Sequence, residues 1–325
     1  MIVVQAPLRV SFFGGGTDVP AFYRHHGGGE VLSTTISKGV YVIVQRRFDD
    51  LICAHGPERE LVECVVDLKH ELIREALKLT GLGPGLEITT LADVPGTGTG
   101  LGSSSSLTVA LLLALHTWKG EGICQRELAE EACHIEIKVL QKPIGKQDQY
   151  IAAYGGVRAL RFRGSFVDAQ PLDASPATIR ALGKRLMLFY TGQGRKSADV
   201  LAVQNGQIAE NATALRQMAD QALLGCRLLY ADDLDGFGRL LDAAWVLKRG
   251  LCDKISNPEI DAVYARARAA GALGGKITGA GGGGFFLVYA PPERQDAVRE
   301  ALPWREMPFA LEPAGARVVL DYRRD

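Results

Sequence analysis

The sequence predicts an α+β fold in two parts. Strand-like segments such as "LRVSFF" and "GVYVIVQRRF" are mixed with amphipathic helices without regular β–α alternation, which disfavours a doubly wound parallel sheet. The chain has 325 residues, of which 47% are apolar, and this is enough for two cores. We place the boundary near residue 180, which gives domains 1–180 and 181–325.

The first half is divided into short elements by glycine and proline. In chain order the prediction is a strand at 8–13, a strand at 39–48, a strand or turn from 61 followed by a helix ending near Gly81, and a strand at 86–95. A helix from about Ser104 to Trp118, a helix at 126–141 stopped by Pro143, a short helix at 148–156 and a strand at 156–162 follow.

The second half is richer in helix. It is predicted to hold a strand at 185–192, mostly helix from 197 to 251 with a break around 232–235, a helix at 257–271, a strand at 285–292, a helix at 292–302 and a strand at 316–323.

Composition excludes several classes of protein. Lysine plus arginine and aspartate plus glutamate both total 37, so nothing favours a nucleic-acid partner. The six cysteines form no C-x-x-C pair, which is typical of reduced thiols in a cytoplasmic protein. No secretory leader is visible, and the longest apolar run, 107–115, is too short to span a membrane.

Three glycine-rich segments, 14–18, 96–106 and 279–284, are flanked by apolar strands or helices. They therefore predict tight loops that approach a ligand closely, not linkers, and together they favour a phosphorylated ligand. The third segment has the letters of a dinucleotide fingerprint, but a strand follows it where the fingerprint requires a helix. A Walker A loop also fails, since Ile277 follows Lys276.

The second segment leads directly into a helix, so free N–H groups and the positive end of the helix dipole face the loop. We expect one of Ser103–Ser106 to cap this helix, and another could bind Mg²⁺ through its hydroxyl.

Glu136 lies on an apolar face. At 100° per residue, the helix at 126–141 places this carboxylate beside Ala132 and Leu140, on a face shared with Val139. Such a burial requires a partner, either the cation of a salt bridge or a divalent metal. His134 falls on the opposite, polar side.

Asp148 follows a proline–glycine loop at the start of a helix. It could be an N-cap, or it could accept or orient the proton of a substrate hydroxyl.

Together these segments resemble the GHMP small-molecule kinases. "APLRVSFFGGGTD", "PGTGTGLGSSSS" and "KITGAGGGGFF" are similar to the three family motifs in the family order. The resemblance implies a two-domain α+β fold with the active site in the cleft between the domains, ATP as phosphoryl donor and Mg²⁺ as cofactor.

The resemblance also implies roles for individual residues. Asp148 and Arg9 would be catalytic, with Arg9 steadying Asp148, and Ser104 and Glu136 would bind Mg²⁺. The ATP phosphates would lie on Gly98, Gly100, Leu101, Gly102, Ser103, Ser104 and Ser105. The sugar would contact Gly15, Gly16, Thr17, Asp18, Gly282 and Gly283, and a phosphate on the sugar could be bound by Lys146 and Arg195.

Galactokinase-like members carry a Glu-His pair where this chain has Gly15 and Gly16. This difference and the segments "GKQDQYIAAYGG" and "ISNPEID" favour the members that phosphorylate a heptose phosphate at its anomeric hydroxyl. A fucose-kinase-like enzyme and a non-catalytic binding homologue are the alternatives. Lys146 and Arg195 could equally be solvated surface residues, and a homodimer is possible.

Overall fold

A computed structural model describes residues 1–56, 58–95, 98–192 and 197–323. Its strands are β1 (Ile2–Phe13), β2 (Gly29–Arg46), β3 (Ile52–His55), β4 (Arg59–Val62), β5 (Leu86–Ala92), β6 (Val157–Arg163), β7 (Phe166–Pro171), β8 (Leu186–Tyr190), β9 (Gly274–Ile277), β10 (Phe285–Tyr289), β11 (Arg305–Glu306) and β12 (Arg317–Asp321). Its α-helices are α1 (Pro20–Tyr23), α2 (Glu71–Thr80), α3 (Ser103–Lys119), α4 (Gln125–Cys133), α5 (Gln147–Tyr154), α6 (Pro176–Gly183), α7 (Ser197–Gly206), α8 (Ala212–Tyr230), α9 (Leu234–Arg249), α10 (Pro258–Ala269) and α11 (Gln295–Ala301).

The larger sheet, as far as the structure describes the chain, has eight strands. Its main order is β12-β1-β2-β5-β3-β4, and the long β2 also pairs with β6, which pairs with β7. All of these pairings are antiparallel except that of β3 with β5. The sheet is therefore built mainly from hairpin-like neighbours, as an α+β fold predicts.

Helix α3 is the central helix of this layer. It packs against both β1 and β2, and its leucines and alanines are buried nearly all round. The helix ends at Gly120, whose φ of +77° suits a left-handed C-cap. Because the N–H of Arg9 in β1 donates to the carbonyl of Leu101 at 3.0 Å, the start of α3 is held beside the first strand.

The smaller sheet is antiparallel, in the order β11-β8-β10-β9. Its partner helix α9 also contacts β1, where the ring of Phe237 lies edge-on to Phe12 and Phe13 at centroid distances of 5.2 and 5.0 Å. These aromatic contacts connect the two layers.

The C-terminal strand β12 returns to the larger sheet and pairs with β1. The larger sheet thus takes strands from both ends of the chain, and the division into 1–180 and 181–325 stays a prediction.

The predicted helix at 126–141 is wrong in its second half. After α4 the chain forms a π-helical segment, His134–Val139, and then turns at Gln141, which has a φ of +50°. A π-helix rotates less per residue than an α-helix. Val139 is therefore 45% exposed instead of sharing the buried face, while Glu136 is fully buried and His134 is exposed, as predicted.

The other predicted elements agree with the structure in type, but several short elements were not predicted, namely the strands β3, β7, β9 and β11 and the helices α1 and α6. The predicted helical break near 232–235 occurs at Asp232, which has a φ of +57°. No helix of the described ranges is both long enough and apolar enough to cross a membrane.

Candidate active site

A bidentate ion pair joins β1 to the start of α5. The Nε and Nη2 of Arg9 donate to the two carboxylate oxygens of Asp148, each at 2.7 Å. The Nη1 of Arg9 donates to the carbonyl of Gly100 in the second glycine-rich loop. Arg9 is only 5% exposed, so its packing and its hydrogen bonds both fix where the Asp148 carboxylate lies.

The N-cap alternative for Asp148 is wrong. Helix α5 begins at Gln147 after Lys146, so Asp148 lies inside the first turn and points to Arg9.

Gly102 permits the close approach of the second loop to this pair. A Cβ on Gly102 would lie 3.2 Å from Cγ of Arg9 and 3.3 Å from Oδ2 of Asp148. Gly100 lies even closer to the residues before the third loop, since a Cβ added to Gly100 would lie 2.5 Å from the Thr278 carbonyl oxygen. The second loop is thus in backbone contact with both the ion pair and the third loop.

The N-terminus of α3 is capped differently from the prediction. Gly102 occupies the N-cap position with a φ of +77°, and no side chain caps the helix. The hydroxyl of Ser106 donates instead to the Pro7 carbonyl at 2.8 Å. The N–H groups of the first turn are therefore not occupied by a serine cap, which suits an anion at this helix end.

The serine hydroxyls that follow Ser103 point to Glu136. Ser105 Oγ donates to Glu136 Oε2 at 3.2 Å, and Ser104 Oγ donates to the same oxygen at 3.4 Å. Gln149 Nε2 donates to Oε1 at 3.2 Å. Burial raises the pKa of the Glu136 carboxyl above its ordinary value, and the nearby charge of Lys142 and these hydrogen bonds offset only part of that.

This cluster fits a hard divalent cation. Among the described residues no basic side chain pairs with Glu136, since Lys142 is bound to Glu71 at 2.9 Å, so the salt-bridge alternative is not found. Gln149 Oε1 is buried and has no hydrogen-bond partner in the described part of the chain. Carboxylate, hydroxyl and amide oxygens are ligands that suit Mg²⁺.

A second group of possible metal ligands lies elsewhere, on β3 and β5. Cys53, His55 and Glu87 have ligand atoms within 4.8 Å of one another. Glu87 also pairs with Arg47 at 3.1 Å, and thiolate and imidazole are not the ligands that Mg²⁺ prefers. Glu136 is therefore the better magnesium candidate.

Asp18 links the first loop to α5. Its carboxylate accepts the N–H groups of Gly16 and Gln147, at 3.0 and 3.1 Å, and the side-chain amide of Gln147 at 3.2 Å. Burial raises the pKa of Asp18, and the negative charge of Asp148 adds to this effect, although the backbone hydrogen bonds oppose it.

A cavity with a volume of about 80 Å³ lies beside the Arg9–Asp148 pair, and its lining does not include Glu136 or the described residues of the second loop. Its wall includes Arg9, Asp148 and Asp18, with Gly15 and Gly16 of the first loop and Gly279 of the third. Space of this size holds several water molecules or one phosphoryl-sized group.

Comparison with known proteins identifies the family of this chain. The models of the GHMP kinases N-terminal and C-terminal domains match residues 61–156 and 227–305. The chain is 30% identical to a mevalonate kinase of Methanothermobacter thermautotrophicus over 234 residues, which cover 70% of this chain and 72% of that one. The chain belongs to the GHMP kinase family.

Two further relatives match along nearly the whole chain. D-glycero-alpha-D-manno-heptose 7-phosphate kinase of Campylobacter jejuni is 28% identical over 316 residues, 93% of each chain. The crystal structure of a D-glycero-D-manno-heptose 1-phosphate kinase from Bacteroides thetaiotaomicron superimposes with a TM-score of 0.82 at 26% identity, covering 99% of this chain and 100% of that one. The protein is therefore a kinase with the predicted two-domain α+β fold.

Several residues that were predicted to bind the sugar do not line the cavity of this GHMP kinase. The Thr17 hydroxyl donates to the carbonyls of Gly14 and Glu30 and is fully buried. Gly282 and Gly283 are buried, and the Gly282 N–H donates to the Ile255 carbonyl. These three positions support the loops and do not line the cavity.

The predicted phosphate-binding cations are not brought together at the cavity. Lys146 lies over the Tyr23 ring, with Nζ 6.0 Å from the ring centroid, and does not line the cavity. Arg195 lies outside the described residues. Leu101 is fully buried in the core, so it can meet a nucleotide only through its backbone.

Two of the charged residues that line the cavity were not predicted as site residues, Lys248 of α9 and Lys276 of β9. Both are buried, at 6% and 4% exposure. A helical wheel would have found Lys248, because it continues the buried stripe of Leu241 and Trp245. Lys276 is the first residue of the third family motif, "KITGAGGGGFF", but that pattern does not indicate that its side chain is buried at the cavity.

Proposed function

We propose that this kinase transfers the γ-phosphoryl group of ATP to the C1 hydroxyl of D-glycero-D-manno-heptose 7-phosphate, giving the 1,7-bisphosphate. The observation that carries the proposal is the Arg9–Asp148 ion pair, because it places a carboxylate at the cavity wall and against Gly102, the N-cap residue of α3.

Asp148 would accept the proton of the attacking hydroxyl or orient it electrostatically. Its bidentate pairing with Arg9 leaves little freedom to rotate, so the acceptor hydroxyl meets a preorganised carboxylate. Arg9 also offers positive charge to the oxygens of the group in transit.

The nucleotide phosphates would lie at the N-terminus of α3, where the helix dipole and the first-turn N–H groups, which have no side-chain cap among the described residues, favour anions. Ser104 and Glu136 would hold Mg²⁺ there, and Gln149 supplies a further oxygen. When bound, the cation supplies charge neutralisation on the phosphate oxygens.

The substrate assignment is supported by the first loop. Gly15 and Gly16 line the cavity without side chains, which leaves room for a sugar to contact the backbone and Asp18. Lys146 and Arg195 remain candidates for the phosphate already on the sugar. The names of the two heptose kinase relatives place that phosphate differently, at position 7 and at position 1.

A panel of acceptors tests the assignment. ADP release is measured with heptose 7-phosphate, heptose 1-phosphate, mannose 6-phosphate, free heptose and fucose, and the product is located by phosphorus NMR. We expect the highest kcat/KM with heptose 7-phosphate and a new anomeric phosphate signal. A higher kcat/KM with fucose or with heptose 1-phosphate would overturn the assignment, and absence of ADP release with every acceptor would favour a non-catalytic homologue.

A further inference from the structure

Two buried ammonium groups meet at the junction of the three glycine-rich loops. Lys276 Nζ donates to the carbonyls of Ser11 and Phe12, both at 2.9 Å, at the end of β1 just before the first loop. Lys248 Nζ donates to the carbonyls of Ile277 and Gly279, which lead into the third loop. The third loop in turn touches Gly100 of the second loop.

Neither lysine has a carboxylate partner in the described ranges of the chain, and both ammonium groups hydrogen-bond only to carbonyls there. An ammonium group has three N–H donors, and each lysine uses two of them on these carbonyls. Both side chains line the cavity with Arg9, so one donor of each remains for a ligand.

Burial without an opposite charge disfavours the ammonium form. It lowers the pKa of Lys276 to about 7, with the positive charge of Arg9 contributing. The pKa of Lys248 is also well below its ordinary value, first because of burial and then because of the charges of Lys276 and Arg9. The other charged groups that line the cavity are Asp18 and Asp148, and Asp148 is already bound to Arg9.

Two buried cations destabilise the folded protein when the cavity is empty, whereas a dianion bound between them would be stabilised by their charge. We propose that Lys248 and Lys276 bind the γ-phosphoryl group of the nucleotide during its transfer, as a phosphoryl-binding pair. Both lysines line the cavity that also holds Asp148, and Gly279, whose carbonyl accepts from Lys248, lies against Gly100 of the second loop. A group that passes from a nucleotide on the second loop to an acceptor at Asp148 would therefore meet them.

The reaction balances without a proton from either lysine. The bond between the γ-phosphorus and the bridging oxygen of ADP breaks, the acceptor oxygen forms the new bond, and the acceptor proton passes to Asp148 or to water. The lysines exchange protons only with solvent, gaining them when the dianion arrives. This inference rests on the proposed use of ATP but not on the identity of the sugar.

Proton uptake on binding tests the pair without any variant. Titration calorimetry near pH 7, where the pKa of Lys276 lies, compares Mg²⁺ with AMP-PNP against Mg²⁺ with ADP, each in buffers of different ionisation enthalpy. We expect AMP-PNP to bind with about one proton more per site than ADP. Equal uptake overturns the proposal, and uptake with heptose 7-phosphate alone would assign the pair to the sugar phosphate instead.

Substitution of the two lysines provides a second test. Lys248→Met and Lys276→Met are each expected to lower kcat by about 10²-fold while ADP affinity changes by less than about threefold, because the lost contact is made only to the transferred group. The matched control is the exposed Lys254→Met, which should keep wild-type kinetics. Unchanged kcat in both lysine variants would refute the pair.

The two proposals fail in different assays. If the heptose assignment is wrong, the acceptor panel identifies another substrate and the nucleotide calorimetry is unaffected. If the lysine pair is wrong, calorimetry shows equal uptake whichever acceptor is best. If a lysine variant does not fold, the calorimetry on the natural chain still decides.

Discussion

Substitution of Gly102 by alanine tests whether the second loop positions the catalytic ion pair. Gly102 and Gly120 stand at the two ends of α3 with the same backbone conformation, φ +77° and ψ +19° against φ +77° and ψ +18°. A Cβ at Gly120 meets only Arg323, at 3.9 Å, whereas a Cβ at Gly102 meets Arg9 and Asp148 at 3.2 to 3.4 Å. The pair of variants therefore separates backbone strain from contact.

The magnitudes follow from this geometry. Alanine in the left-handed conformation costs about 1 kcal/mol at either position, because its Cβ approaches the carbonyl oxygen. At Gly102 the neighbours must also move by a few tenths of an ångström, which shifts the Asp148 carboxylate. Since a displacement of about 1 Å can cost about 10²-fold in rate, we expect kcat of Gly102→Ala to fall about tenfold.

Urea unfolding and ADP release measure the two effects. Gly120→Ala should lose about 1 kcal/mol of unfolding free energy and keep its kcat, and Gly102→Ala should lose at least as much and also lose activity. If the two variants have the same kcat within about twofold, the loop does not position the ion pair and the reasoning is wrong.

Three further predictions concern the carboxylates. Asp148→Asn should lower kcat by about 10²- to 10⁴-fold with little change in ATP affinity, measured by ADP release and nucleotide titration. Glu136→Gln should raise the Mg²⁺ concentration for half-maximal rate by about tenfold or more, because a charged ligand is lost. Asp18→Asn should change how stability depends on pH. Because the pKa of Asp18 is raised in the folded state, its protonated form adds to the unfolding free energy. This contribution is fully present below the pKa of Asp18 in the unfolded state, and it is lost as the pH rises through the pKa in the folded state. The unfolding free energy of Asp18→Asn relative to the wild type should therefore increase over that range, as followed by urea unfolding.

Each of these three predictions would be contradicted by a specific result. Near-full turnover by Asp148→Asn would exclude its role at the hydroxyl. An unaltered Mg²⁺ dependence in Glu136→Gln, with the exposed Glu130→Gln as control, would move the metal elsewhere. A constant stability difference between Asp18→Asn and the wild type across the acidic range would mean that Asp18 is not protonated more easily in the folded state.

Much of the site was accessible to sequence reasoning because it depends on local pattern. The helix at Ser103–Lys119 and its final glycine follow from apolar residues and an αL stop. Burial of Glu136 followed from a helical wheel, although the wheel assumed an α-helix and so misplaced Val139 on the π-helical segment. It was not predicted that Gly102, and not a serine, is the N-cap residue. The hydroxyls of Ser104 and Ser105 donate instead to the carboxylate of Glu136, which lies 32 and 31 residues further along the chain.

The sequence by itself determined the α+β class, the three glycine-rich loops and the family, because these depend on residue type, spacing and order. The pairing of Arg9 with Asp148, 139 residues further along the chain, was expected only from the family resemblance, and only the tertiary structure showed its geometry and placed Lys248 and Lys276 in the same cavity. The physical reason is that a buried charge is tolerated through its partners, and those partners are contributed by distant elements whose packing no local pattern records.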